Sequence, residues 1–185
     1  MKKAAFIDRD GTILSNDDFL LSLDDYDPVP RSFEGIRLLV DKGYYPVVIT
    51  NQSGVARGYY DEIFVEQVRE QLKKDFEEVG IYDFAHYYCP HHPEVGEFPY
   101  QRICDCRKPK PGMLQKAAKD HNLDLKNSIL IGDSKVDYQV AVNFGVNFYL
   151  VGTGHGKETV KLANEEKNEF YRGYFETLYD VAESL

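Results

Sequence analysis

Positive charge is what this sequence has too little of. Lys and Arg number 22 against 31 Asp and Glu, a formal net charge of −9 over 185 residues. That deficit argues against a nucleic-acid binder, whose affinity rests on neutralising phosphates with Lys and Arg. It argues equally against docking on an anionic membrane surface. An anionic small molecule stays open as ligand if a local cationic cluster or a metal ion outweighs the global field. Long apolar runs are missing too: the run after Met1-Lys2-Lys3 stops at Asp8, too short for a membrane span or a signal-peptide core. The expectation is a soluble cytoplasmic monomer with neither nucleic acid nor membrane as partner. Repeats and low-complexity tracts are absent. The length fits one domain, 1–185, with a small insert at most, and such a domain buries roughly 70% of the surface of its unfolded chain, enough for a core without staples.

Cysteine is also scarce. Cys89, Cys104 and Cys106 make an odd count confined to one short segment, which is not the framework of a disulfide-rich secreted domain. In a reducing compartment such clustering points to metal.

What is present is an alternation of short apolar runs and amphipathic stretches. Strands are expected at 4–7, 46–49, 84–88, 128–131 and 146–151. Helices are expected at 33–42 with Gly43 as stop, at 61–79, at 111–121 and at 135–144 with Gly145 as stop. In the second of these, Phe64, Val68, Leu72, Phe76 and Val79 fall at the helical period. Residues 170–185 read as a final helix, from the spacing of Phe175, Leu178, Val181 and Ala182. The alternation implies an α/β fold, a Rossmann-like doubly wound parallel sheet with helices on both faces. Ligands of such folds lie outside the carboxyl ends of the strands, which singles out residues 8–12, 50–54, 89–92, 133–137 and 152–156.

The first of these turns, Asp8-Arg9-Asp10-Gly11-Thr12, sets two carboxylates two apart on one side of an extended chain. About 4 Å apart, they would repel by roughly 4 kcal/mol at an effective dielectric of 20, so a bridging cation is favoured. Mg²⁺ prefers carboxylate oxygens together with substrate phosphates. Taken alone, the motif is more simply a solvated turn joining strand and loop. Thr50-Asn51-Gln52-Ser53-Gly54 offers a hydroxyl and backbone N–H groups suited to a phosphoryl oxygen, or is merely a polar loop. Arg107-Lys108-Pro109 is a cationic island in an acidic chain, and Lys108 can offset the charge of a transferring phosphoryl group. Asp133 and Asp137, four apart at a helix start, can face one site, although Asp133 could equally serve as a cap.

These four pieces, each after a strand and in this order, resemble the phosphatases of the haloacid dehalogenase superfamily over nearly the whole chain. The resemblance implies a Mg²⁺-dependent phosphatase in which Asp8 attacks phosphorus as nucleophile. Asp10 protonates the leaving alkoxide and then activates water. Thr50 and Lys108 hold the transferred phosphoryl group. Asp8, the Asp10 carbonyl and Asp133 bind Mg²⁺, with Asp137 supporting the site from behind.

Cys89-Pro90-His91-His92 and Cys104-Asp105-Cys106 supply three thiolates and an imidazole, the closed tetrahedral set of a structural Zn²⁺. His92 is the alternative to His91, and three reduced thiols with two solvent histidines is the alternative to any metal. Zinc would pin a loop, about 89–106, that is otherwise entropically expensive. It would also aim Arg107 and Lys108.

With this loop the resemblance narrows to the D-glycero-D-manno-heptose 1,7-bisphosphate 7-phosphatase family, which also holds histidinol-phosphate phosphatases. The residues that carry it are Asp8-Arg9-Asp10-Gly11-Thr12, residues 50–58 (Thr-Asn-Gln-Ser-Gly-Val-Ala-Arg-Gly), Cys89-Pro90-His91-His92 and residues 104–112. It implies no separate cap domain, a phosphorylated sugar as substrate, substrate recognition by Arg107, and a role in making heptose precursors of surface polysaccharide. Asn51, Gln52 and Ser53 are candidate substrate contacts. One segment departs from the family: after Thr12 it carries an Asn-x-Asp-x-Gly-Tyr type stretch, where this chain has residues 13–19, Ile-Leu-Ser-Asn-Asp-Asp-Phe. That segment borders the leaving group, so the departure bears on substrate and anomer. A phospho-acceptor signalling module shares the Asp, Thr, Lys and Mg²⁺ set, but Asp10 argues for rapid hydrolysis. A zinc-stabilised interaction protein would not need every catalytic residue type, and a nucleic-acid end phosphatase would need a basic groove.

Overall fold

The computed structural model describes residues 1–16 and 18–185; Asp17, in the departing segment, lies outside the described residues. Six strands form one sheet, all pairs parallel, in the order β3-β2-β1-β4-β5-β6. They are β1 (Lys3–Ile7), β2 (Tyr44–Asn51), β3 (Ala85–Cys89), β4 (Ile129–Gly132), β5 (Asn147–Val151) and β6 (Tyr171–Phe175). The helices are α1 (Ser32–Asp41), α2 (Glu62–Glu78), α3 (Gly112–His121), α4 (Lys135–Phe144), α5 (Gly156–Glu166) and α6 (Leu178–Ser184).

The two-residue period of the strands explains why both faces are covered. Phe6, Val47, Ile49, Leu130, Phe148 and Leu150 point to one side, where α3, α4 and α5 bring Met113, Leu114, Ala117, Tyr138, Val140, Ala141 and Ala163. Ala5, Ile7, Val48, Ile129 and Ile131 point to the other, where α1, α2 and α6 bring Ile36, Leu39, Val68, Leu72, Phe76, Leu178, Val181 and Ala182. Among the described residues, no helix is long and apolar enough to cross a membrane.

The tail corrects the expectation of one helix over 170–185. Residues 171–175 pair with β5 as the edge strand β6, and α6 begins only at Leu178. Thr177 caps that helix, and Thr177 and Asp180 exchange side-chain-to-backbone bonds, which closes the preceding backbone off from a helix. The helix α5 was not anticipated. Its buried stripe is only Gly156, Thr159 and Ala163, too weakly apolar for a periodic signal.

The register aligns the carboxyl ends of the central strands. Ile7 lies beside Val48 and Ile131, and Asn51 lies beside Cys89. The residues that follow β1, end β2 and β3, and follow β4 therefore meet at one edge of the sheet.

Candidate active site and metal centres

At that edge a cavity of about 290 Å³ is lined by Asp8, Asp10, Thr50, Asn51, Ser53, Arg107, Lys108 and Asp133, together with Ser134, Val136 and His155. Of the residues expected for catalysis, substrate and magnesium, Gln52 and Asp137 stand outside this wall. Gln52 is buried behind it, its amide donating to Asp10 Oδ2 at 2.8 Å and to Thr50 Oγ1 at 2.7 Å. Asp137 lies beneath it.

Lys108 is 2% exposed, and its Nζ stands 2.7 Å from Asp8 Oδ1 and 2.6 Å from Asp137 Oδ1. Burial opposes the ammonium charge, but Asp137 and Asp8 outweigh it and hold the lysine above its ordinary range. The Asp8 carboxyl is pushed well up, first by burial and then by the charge of Asp137, with Lys108 pulling it back. Asp133 is raised to about 7 by burial and by Asp137. Asp8 Oδ1 also accepts the Arg9 N–H at 2.8 Å.

Asp8, Asp133 and Asp137 each present a carboxylate oxygen within 4.8 Å of the others. Three buried acids against one lysine leave an excess of negative charge that suits a hard divalent cation. Asp137 is already committed. Oδ1 is on Lys108, and Oδ2 accepts the Ser134 N–H at 3.2 Å and the Ser134 hydroxyl, closing the first turn of α4. This leaves Asp8 and Asp133 as the freer carboxylates. Asp133 is fixed by the His155 N–H at 2.7 Å. Gly11, at φ +77, lies so close that a Cβ there would fall 2.4 Å from Asp133 Oδ2. The Asp8–Thr12 turn thus seats on the end of β4 only because residue 11 has no side chain. Thr153 pins the same turn by donating to the Gly11 carbonyl at 2.5 Å.

The Cys/His loop closes beside this site. Sγ of Cys89 lies 3.0 Å from that of Cys106 and 3.5 Å from that of Cys104, and Cys104 and Cys106 are 3.4 Å apart. His91 Nδ1 lies 3.7 Å from Cys89 Sγ and 3.3 Å from Cys106 Sγ. These edges approach the ~3.7 Å of a tetrahedron of thiolates around zinc. The structure brings His91, not His92, into the cluster. His92 Nδ1 accepts from the N–H groups of Glu94 and Val95 and its Nε2 meets Arg57, which places it in the fold of the loop. Arg107 donates to the His91 carbonyl at 3.3 Å, tying the cluster to the cavity wall.

Two features of the site carried no assignment from sequence. One is the backbone of His155, in a strand-end segment that offered no recognisable chemistry. The other is the Arg9 side chain, which sits between two acids and gives no sign in the sequence of where it points.

Residues 105–180 match a family model described as HAD-hydrolase-like. The chain is 43% identical over 155 residues to the D-glycero-beta-D-manno-heptose-1,7-bisphosphate 7-phosphatase of Haemophilus ducreyi, covering 83% of this chain and 85% of that protein. It is 36% identical to a D-glycero-alpha-D-manno-heptose-1,7-bisphosphate 7-phosphatase of Photorhabdus laumondii, covering 83% and 84%. A crystal structure of the D,D-heptose 1,7-bisphosphate phosphatase of B. bronchiseptica, complexed with magnesium and phosphate, superposes with a TM-score of 0.85 at 34% identity, over 98% of this chain and 97% of that one. On likeness of this extent in sequence and in fold, the chain belongs to the D-glycero-D-manno-heptose 1,7-bisphosphate 7-phosphatase family of the haloacid dehalogenase superfamily.

Proposed function

We propose that this chain, as a single-domain cytoplasmic monomer, removes the C7 phosphate of D-glycero-D-manno-heptose 1,7-bisphosphate by way of a phospho-aspartate on Asp8, in the synthesis of heptose precursors of surface polysaccharide. The observation that carries this reading is the convergence of Asp8, Asp10, Thr50, Lys108 and Asp133 on one cavity, in a chain whose relatives bear that name.

Asp8 attacks phosphorus while the ester P–O bond breaks, and Asp10 gives its proton to the departing sugar alkoxide. Water then attacks the phospho-aspartate, Asp10 takes the proton from that water, and the bond from phosphorus to Asp8 breaks to free phosphate and the original carboxylate. Dividing one difficult displacement between two steps is the gain from a carboxylate nucleophile. Lys108 and the Thr50 hydroxyl hold the equatorial phosphoryl oxygens, where charge gathers in the transition state. Arg107, with its guanidinium steadied on the His91 carbonyl, and Ser53 face the rest of the substrate.

Magnesium fits the acid cluster, held by Asp8, Asp133 and the Asp10 carbonyl with Asp137 behind them. When bound it neutralises the carboxylates and the phosphate so that two anions can meet. Zinc fits Cys89, His91, Cys104 and Cys106 in a closed structural site, and the reduced thiols it requires agree with the cytoplasm.

The test is phosphate release in Mg²⁺ from both anomers of heptose 1,7-bisphosphate and from histidinol phosphate. The expected result is kcat/KM for one heptose anomer at least about tenfold above that for histidinol phosphate, a gap of ~1.4 kcal/mol in transition-state binding. A preference for histidinol phosphate would overturn the substrate assignment.

A further inference from the structure

We propose that Arg9 is the positioning residue for Asp10, an inference that rests on the acid/base role given to Asp10 above. The Arg9 side chain is 2% exposed and is the largest fully buried side chain among the described residues. Its Nε donates to Asp10 Oδ1 at 2.8 Å and its Nη2 to Asp10 Oδ2 at 2.9 Å. This two-point grip fixes the plane of the carboxylate as well as its place. From another direction Gln52 donates to the same Oδ2 at 2.8 Å, and Gln52 is itself oriented by the Tyr60 hydroxyl at 2.8 Å. The Asp10 side chain keeps 21% exposure toward the cavity.

Holding Arg9 there is costly to the fold. Nη1 is buried with no hydrogen-bond partner among the described residues, an uncompensated desolvation cost for a charged group. The turn does not need this side chain either: it is the Arg9 backbone carbonyl that accepts the N–H groups of Ile13 and Leu14, both at 2.9 Å. What the side chain secures is the orientation of Asp10. A general acid that must reach a leaving oxygen, and later a water, gains from a fixed carboxylate. A lysine would keep the charge and lose the fork.

The experiment compares Arg9→Met and Arg9→Lys with the unmodified chain, zinc retained and Mg²⁺ saturating, on two esters. One is heptose 1,7-bisphosphate, whose alkoxide leaving group needs a proton. The other is p-nitrophenyl phosphate, whose leaving group does not. For Arg9→Met, kcat on the sugar ester should fall about 10²-fold with KM changed less than about threefold, the signature of an interaction lost from the transition state alone. On p-nitrophenyl phosphate the same variant should release one p-nitrophenolate per active site in a burst and then turn over slowly, because water attack on phospho-Asp8 still needs Asp10. Arg9→Lys should lose about tenfold, and it decides the matter if Arg9→Met does not fold. Unchanged kcat on the sugar ester overturns the proposal, and so does a burst lost in step with steady-state turnover, which is what mere disruption of the site would give. An unmodified chain that frees phosphate from neither ester overturns the phosphatase reading itself, and the role of Arg9 with it.

Discussion

Asn51 holds the backbone of Lys108 at two points: its Nδ2 donates to the Lys108 carbonyl at 3.1 Å, and the Lys108 N–H donates to its Oδ1 at 3.0 Å. The side-chain amide expected to meet substrate thus holds the backbone of the lysine proposed to meet phosphate. Asn51→Ala removes both bonds. Stability should fall by about 1–3 kcal/mol, and kcat by about 10-fold or more because the ammonium is no longer held in place. Denaturant unfolding and steady-state kinetics check the pair. A variant that loses affinity for substrate while keeping kcat would restore Asn51 to a direct binding role.

Lys108→Met removes the one ammonium lying among three buried carboxylates. Breaking a buried ion pair in this way is expected to cost about 3–5 kcal/mol, and turnover should drop below detection. Urea unfolding with and without Mg²⁺ gives the check, since a cation bound to the bare acids should recover part of the loss by linkage. Full stability without the lysine would mean that the acids are neutral in the resting protein.

One zinc per chain is expected by elemental analysis. Cys104→Ser, which takes one corner from the cluster, should lower zinc content and destabilise the chain by several kcal/mol, since binding energy at a structural zinc site is folding energy. It should also depress kcat, because Arg107 and Lys108 follow the cluster directly in sequence and Arg107 leans on His91. A chain purified without zinc yet of undiminished stability would contradict the assignment.

His86 supplies a dependence on pH away from the metal sites. The residue is half-buried, but both ring nitrogens are shielded and without hydrogen-bond partners among the described residues. Burial, with the charges of Arg9 and Arg69, lowers its pKa from 6.5 to about 3. The unfolded chain therefore takes up a proton below pH 6.5 that the folded chain refuses until about pH 3, so stability falls as pH drops through that window, by at most ~1.4 kcal/mol per pH unit. His86→Phe should flatten this part of the profile between pH 6.5 and 4. An unchanged slope in urea unfolding would assign the acid sensitivity to other groups.

The strands β1 to β5 and the helices α1 to α4 were legible because each carries its own period and its own stop, as with Gly43 and Gly145. The strand β6 was not. Phe175 and Leu178 stand at helical spacing by accident of a strand running into a capped helix, and the cap at Thr177 and Asp180 was the one local sign of the break. The convergence of Asp8, Asp10, Thr50 and Asp133 on one cavity was legible from residue type at strand ends, and that of Lys108 from its place in a cationic island. The commitments of Gln52 to Asp10, of Asn51 to Lys108 and of Arg9 to Asp10 were not. Those are choices among partners made by tertiary packing, and nothing in the spacing of residues 8–10 or 50–52 encodes them. The choice of His91 over His92 has the same origin: both follow Cys89 closely, and only the return of the chain at Cys104 and Cys106 decides which ring lies within reach.

Phosphate is proposed to pass through Asp8. The most direct measurement is to mix Asp10→Asn, which should form the acyl phosphate from p-nitrophenyl phosphate but fail to hydrolyse it, with that ester in Mg²⁺, reduce with borohydride, and map the product by peptide mass spectrometry. Conversion of residue 8 to homoserine is the expected result. Turnover by the unmodified chain with no reducible aspartyl phosphate at residue 8, or with one at another carboxylate, would contradict the account.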